Sequence, residues 1–351
     1  MSGKHQLIER LDTHGKLIIE RHIHKMSTLI ATGVAHPNIA FIKYWGNIDS
    51  ELNIPSTGSI SMNLDALWSK TTVTFEEKLK EDTLTINGNP ASLLALQRVS
   101  TFLNIVRTMA NRQIFADVRS VNNFPIAAGL ASSASAFAAL SLAATRALGL
   151  TLSEIELSRL ARRGSGSSCR SVPPGYVEWQ LGRGNGDSYA HSIAPAQHWL
   201  LTDCIAIVQS SEKLIGSQTG HLLAATSPFQ PARILDAPRR LAICRQAILQ
   251  RDFDALAKII ELDSNMLHAV MITSDPPLVY WQPSTLAILK IIPDMRAQGW
   301  PVCYTIDAGA NIHIICPADY SAKIERILSQ IPTVSQVLIS PPGGGVSINE
   351  D

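Results

Sequence analysis

Asn123-Phe124-Pro125-Ile126-Ala127-Ala128-Gly129-Leu130-Ala131-Ser132-Ser133-Ala134-Ser135, with the small apolar run that follows it to Leu148, decides how this chain is read. Pro125, Ala127, Ala128 and Gly129 describe a tight loop. Ser132, Ser133 and Ser135 stand at the mouth of a helix whose apolar residues continue through Phe137, Leu140, Leu142 and Leu148. A helix start leaves backbone N–H groups unpaired and carries positive partial charge. Small residues let an anion approach that backbone closely, and serine hydroxyls add donors or a metal ligand. The stretch therefore reads as a phosphate-binding loop. It is not of the Walker type, because the Gly-Lys-Ser/Thr ending is absent. An alanine-rich core helix with a serine cap fits these residues alone equally well.

Three further polar constellations bear on that choice. Ile39-Ala40-Phe41-Ile42 reads as a buried strand leading directly into Lys43-Tyr44-Trp45-Gly46. A lysine there can meet a phosphate as a point charge, or simply snorkel from a strand end. Next, Gly164-Ser165-Gly166-Ser167-Ser168-Cys169-Arg170-Ser171 gathers small hydroxylated residues around one arginine. A guanidinium pairs a carboxylate or phosphate through two parallel bonds. Last, Asp307-Ala308-Gly309 follows an apolar strand, where the aspartate can act as a base, bind a cation, or cap its own turn. No Ser-His-Asp order, no paired catalytic carboxylates and no His/Cys metal cluster rivals these.

The bulk numbers narrow the class. With 351 residues the chain suits two domains, and 46% hydrophobic with 17% charged residues is an ordinary soluble composition. A net charge of +1 argues against nucleic acid as a partner. No apolar run approaches a membrane span, and the N-terminus lacks a secretory core. The five cysteines are scattered and form no Cys-x-x-Cys pair, as expected of free thiols in a reducing cytoplasmic setting. Residues 1–27 form a charged arm in which His22 and His24 are assigned no chemistry.

Along the chain, Ser59, Ser61 and Asn63 alternate with apolar residues on a strand with one polar face. Thr71 to Asn87 reads as two strands around a charged turn, and Leu93 to Met109 as a helix. Thr151 or Ser153 caps a helix running to Arg163. Ser210 to His221 reads as a polar loop, Ala237 to Gln250 and Phe253 to His268 as helices, and Val302–Ile306 and Ile312–Cys316 as strands flanking Asp307.

Taken together, these stretches resemble the GHMP superfamily of small-molecule kinases, and within it the mevalonate diphosphate decarboxylase family. The carrying residues are Asn38 to Gly46, Ala127 to Ala134, Arg162 to Ser167 with Cys169-Arg170-Ser171, and Asp307-Ala308-Gly309. Asp263-Ser264-Asn265 with His268, and Val177-Glu178-Trp179, also fit. The resemblance implies a two-domain α+β GHMP fold. Residues 28–205 would form an ATP-binding domain with a mixed sheet, and 206–351 a ferredoxin-like α/β sandwich. It implies ATP and Mg²⁺, a phosphorylated mevalonate as substrate, a cytoplasmic setting and a homodimer. By the family's pattern Asp307 takes or orients the C3 hydroxyl proton, Lys43 stabilises the transferring phosphoryl group, and Arg170 with Ser167 holds the substrate carboxylate. Tyr44, Asn47, Ser165, Ser217 and Gln218 complete the substrate site. Gly129 to Ser135 would bind the ATP phosphates, with Mg²⁺ near Ser133.

The departures carry their own expectation. Family members acting on the diphosphate usually continue Lys-Tyr-Trp-Gly as Lys-Arg-Asp, whereas here it reads Asn47-Ile48-Asp49. Gln218 follows Ser217 where some bacterial relatives carry an arginine. Each charge-assisted bond is worth roughly 1.5–3 kcal/mol. Losing two or three should weaken diphosphate binding by more than roughly tenfold unless Arg119, Lys70 or another cation substitutes. The expected substrate is therefore mevalonate 5-phosphate, giving isopentenyl phosphate. The alternatives are the family's diphosphate reaction, a 3-kinase that does not decarboxylate, or a non-catalytic binding protein.

Overall fold

A computed structural model describes residues 7–11, 17–21, 29–125, 132–208 and 216–349. It is an α+β structure built around three main sheets. In the strand Ser69–Glu76 every second residue is buried, the two-residue period that sets one face of a strand against a core. That strand lies inside a six-stranded sheet of order Asn89–Pro90, Thr83–Ile86, Phe115–Asn122, Ser69–Glu76, Leu29–Ala35, Ser347–Ile348. The two strands expected around the charged turn are present but are not neighbours. Phe115–Asn122 lies between them, antiparallel to Ser69–Glu76 and parallel to Thr83–Ile86. The helices Leu93–Ala110, Ser132–Ala147 and Glu154–Gly164 share the apolar core of this sheet. Ser153 caps the last of these in a capping box with Glu156.

Ser132–Ala147 is buried almost all round, from Ala134 through Ala147. Its alanines serve as close-packing residues. Core helix and phosphate-loop helix are thus compatible roles for the same element.

A second sheet runs Ala190–Ala194, Tyr176–Trp179, Ser59–Asn63, Asn38–Ile42, and the last two of these strands are buried at every position. Its apolar side packs on the helices Gln230–Gln250 and Phe253–Ile272, and one core cluster joins Ile39, Phe41 and Ile60 to Ile205, Ile260 and Ile315. The third sheet runs Cys303–Thr305, Ile312–Pro317, Leu201–Ile207, Gln336–Ser340, all antiparallel, and is covered by Pro283–Ala297 and Ser321–Ser329. The chain then returns to the first sheet, where Ser347 pairs with Val34.

Two expectations change. The helix expected from Ala237 begins at Gln230, with Pro231 in its first turn where no N–H is needed and Pro238 inside it. Part of the expected polar loop, Ser217–Leu223, is a short helix. In the arm, Leu7–Leu11 pairs antiparallel with Leu17–Arg21, while His22 and His24 lie outside the described residues. Among the described residues no helix is long and apolar enough to cross a membrane, and all five cysteines are buried free thiols.

Candidate active site

The buried strand Asn38–Ile42 delivers Lys43, itself 1% exposed, to the end of the Cys303–Thr305 strand, where Asp307 sits. Lys43 Nζ meets Asp307 Oδ1 at 2.6 Å. A buried ammonium requires such a partner, since desolvation alone is too costly. Asp307 keeps 27% of its side-chain surface exposed, so the carboxylate is not sealed inside.

The backbone of Lys43 is gripped from both sides. Its N–H donates to Asp263 Oδ2 at 2.6 Å, and its carbonyl accepts from Arg233 Nη2 at 2.7 Å. Arg240 Nε donates to the other Asp263 oxygen at 2.7 Å. Asp263, Arg233 and Arg240 are all essentially unexposed. One residue on, the Ser264 hydroxyl accepts from the N–H of Ile306, the residue before Asp307. The Asp263-Ser264 dipeptide therefore ties together two catalytic candidates that are 264 positions apart in the chain. His268, one turn later, lies tilted against Trp281 with centroids 4.7 Å apart. Burial, then the nearby Lys43 charge, holds its pKa down to about 4.

Arg170 lies in the 3-10 segment Gly166–Ser171 and is 3% exposed. Its Nε donates to Asn38 Oδ1 at 3.2 Å and Ser61 Oγ at 3.1 Å, and its Nη1 to Ser59 Oγ at 2.6 Å. Those partners are neutral, and among the described residues no carboxylate forms an ion pair with it. Burial lowers its pKa, while the charge of Asp307 acts in the opposite direction, so the two groups sense each other. The polar face of Ser59–Asn63 thus has a defined task. Two serines hold Arg170, and Asn63 holds the carbonyls of Pro173 and Gly344. Glu178 takes both ends of Arg245, a structural pairing behind the sheet.

Tyr44 donates to Asn47 Oδ1 at 2.6 Å, packs edge-on to Trp179 and stacks on His221 at 4.0 Å. Burial pushes its phenol pKa up. Gly166 is obligatory beside it, because a Cβ there would lie 2.6 Å from the Tyr44 ring. Ser165 Oγ lies 3.3 Å from Ser133 Oγ, and Ser168 Oγ donates to the Ser133 carbonyl, which joins the start of Ser132–Ala147 to the arginine segment.

Tyr44, Ser133, Arg163, Ser165, Ser167 and His221 line a cleft of about 510 Å³. A smaller cavity of about 160 Å³ adjoins it, between the first sheet and two helices, with Ile86, Val99, Ser120, Asn122, Ser133 and Phe137 among its walls. Ser132 and Ser133 open onto that cavity, whereas Ala134 and Ser135 are fully buried and Ser135 Oγ is bonded to Ser69 Oγ. Gly129, Leu130 and Ala131 lie outside the described residues. Ser217 and Gln218 begin the helix Ser217–Leu223. Among the described residues no group of three His, Cys, Asp or Glu is placed to hold a metal ion. A hard divalent cation here would rely on phosphate oxygens, water and the Ser133 hydroxyl, the donor set that suits Mg²⁺.

Among the described residues, the cations lining the larger cleft are Arg98 and Arg163. Neither Arg119 nor Lys70 appears there, and Arg119 pairs instead with Asp117 on an exposed strand face. Sequence reading missed Arg98 and His221 as site residues and had Arg163 only within the Arg162 to Ser167 motif, with no role. Arg98 carries only the signal of an ordinary helix residue, and His221 was submerged in a polar segment.

Comparison with known proteins gives the family. A family model for the diphosphomevalonate decarboxylase-like N-terminal domain matches residues 35–190, and one for the mevalonate 5-diphosphate decarboxylase C-terminal domain matches 204–339. The chain is 36% identical over 328 residues to a diphosphomevalonate decarboxylase of Ganoderma lucidum, covering 86% of this chain and 82% of that protein. Mevalonate diphosphate decarboxylase from Staphylococcus aureus superposes with a TM-score of 0.87 at 35% identity, over 94% of this chain and all of that one. The solved complex of MDDEF with MVAPP, AMPPCP and magnesium gives 0.87 at 37% identity, over 93% and 100%. With both halves matched in order, the chain belongs to the diphosphomevalonate decarboxylase family of ATP-dependent decarboxylases, on the GHMP kinase fold.

Proposed function

We propose that this site carries out the ATP-dependent decarboxylation of a 5-phosphorylated mevalonate. The observation that carries the reading is an ion pair and the arginine that senses its charge. A 2.6 Å Lys43–Asp307 pair stands near a buried Arg170 whose own hydrogen bonds go only to neutral groups. Asp307 accepts the C3 hydroxyl proton as that oxygen attacks the γ-phosphoryl group and ADP leaves. Lys43 Nζ, anchored through its gripped backbone, balances charge on the transferring group. The C3–O bond then breaks with departure of phosphate. Electrons of the C1–C2 bond become the C2–C3 double bond, and C1 leaves as carbon dioxide. Arg170, with Ser167, holds the carboxylate in line for that elimination. Ser132, Ser133 and the helix start face the nucleotide phosphates, and the smaller cavity suits a flat adenine. Mg²⁺, when bound near Ser133, would neutralise phosphate charge. We take the division of labour to follow the two halves of the chain, with the boundary near residue 205, and the assembly to be a homodimer.

At the 5-end, the names of the relatives favour the diphosphate. A feature of this chain favours the monophosphate. Asn47-Ile48-Asp49 replaces two family cations, and Glu51 lines the cleft mouth. ATP-dependent carbon dioxide release with mevalonate, its 5-phosphate and its 5-diphosphate tests both levels. Release from either phosphorylated compound supports the decarboxylase reading. ADP formed without carbon dioxide would replace it with a kinase. The ratio of kcat/KM values assigns the 5-end.

A further inference from the structure

His221 belongs to none of the constellations legible in the sequence, yet its geometry is fully specified. The Gly46 backbone N–H points at His221 Nδ1 from 3.0 Å. A peptide N–H can only donate, so Nδ1 is the bare, accepting nitrogen and the single ring proton sits on Nε2. The ring plane is held as well. Tyr44 stacks on it at 4.0 Å with planes 28° apart, and Trp45 lies against it at 4.7 Å. Its helix packs closely on Trp45, since a Cβ at Gly220 would fall 2.4 Å from the indole. Burial, then the charges of Arg170 and Arg233, holds the imidazole neutral, with a pKa of about 3. The result is an uncharged donor of fixed orientation on the wall of the cleft that also contains Tyr44, Ser165 and Ser167.

We propose that His221 is a specificity-determining residue whose Nε2–H donates to a phosphoryl oxygen at the 5-end of the substrate. This rests on the reading above that the cleft takes a 5-phosphorylated mevalonate. A neutral donor grips a phosphoryl oxygen without adding positive charge, so it rewards a second phosphate less than a lysine or arginine would. Tyr44, which shares the lining with His221, and Asn47, which accepts from its hydroxyl, are likewise uncharged.

Two substitutions separate this role from packing. In His221→Asn the amide oxygen can take the place of Nδ1 and keep the Gly46 bond, but no donor reaches the Nε2 position. In His221→Gln the amide nitrogen reaches that position while the Gly46 bond is lost. Steady-state carbon dioxide release is measured with both phosphorylated substrates, and folding is checked by circular dichroism. His221→Asn should raise KM for the preferred substrate about 10- to 100-fold with the KM for ATP unchanged, while His221→Gln stays close to wild type. His221→Met, which fills the space without a donor, should share the loss and serves if the Asn variant fails to fold. An Asn variant as good as or better than Gln, or equal damage in both, would overturn the proposal in favour of a purely structural ring. Wild type releasing carbon dioxide from neither phosphorylated substrate would instead overturn the functional reading beneath it.

Discussion

Replacing Arg170 by lysine keeps the charge and removes the fork. Nε and one N–H of Nη1 are committed to Asn38, Ser61 and Ser59, which leaves the outer N–H groups of Nη1 and Nη2 as the parallel pair a carboxylate accepts. A lysine can offer one such bond at most. Losing one charge-assisted hydrogen bond of roughly 1.5–3 kcal/mol should lower kcat/KM for the mevalonate substrate about 10- to 100-fold. The serine and asparagine oxygens left behind are buried, so Arg170→Lys should also lose about 1–3 kcal/mol of stability. The assay follows ADP and carbon dioxide together at varied substrate and at varied ATP. The expected pattern is a large loss on the substrate axis, an unchanged KM for ATP, and fewer carbon dioxide molecules per ADP. An unchanged kcat/KM, or a loss confined to ATP, would refute the assignment of Arg170 to the carboxylate.

Asp307→Asn should abolish turnover while calorimetric titration still shows nucleotide binding, and near-normal kcat would remove Asp307 from the proton transfer. Asp263→Asn breaks a buried pairing with Arg240 and the grip on Lys43, so urea unfolding should show a loss of about 3–5 kcal/mol, and a loss under about 1 kcal/mol would show the grip to be dispensable. Gly166→Ala drives a methyl into Tyr44 and should cost about 1–3 kcal/mol in the same assay, with a parallel fall in kcat/KM; full activity would mean that Tyr44 is free to move. His268, neutral when folded with a pKa of about 4, binds its proton more readily in the unfolded chain, near pH 6.5. Its contribution is therefore present above pH 6.5 and declines by about 1.4 kcal/mol per unit as pH falls toward 4. Unfolding free energies of wild type and His268→Gln should converge on acidification from pH 7 to pH 4.5, and parallel profiles would contradict this.

The sequence by itself determined what depends on neighbours along the chain. The strand before Lys43, the helix start at Thr151 or Ser153, the small-residue helix from Ser132 and the turn after Asp307 are all local events, read from period, caps and turn residues. The ordered set of motifs also pointed to the family, because several unusual stretches had to coincide. Tertiary structure alone decided who meets whom. Lys43 and Asp307 are joined by a fold that closes over more than two hundred and sixty residues, and nothing in either local stretch states that distance. Ser59 and Ser61 had a polar face that suited water as well as a site, and only the approach of the Gly166–Ser171 segment turned it into a cradle for Arg170. Asp263 was legible as part of a helix and of the family pattern, but its hold on the Lys43 peptide was not. His221 shows the limit most clearly, since its tautomer follows from one backbone N–H 175 positions away. A hydrogen bond's direction is a property of two groups in space, and periodicity along one strand of sequence carries no record of the second.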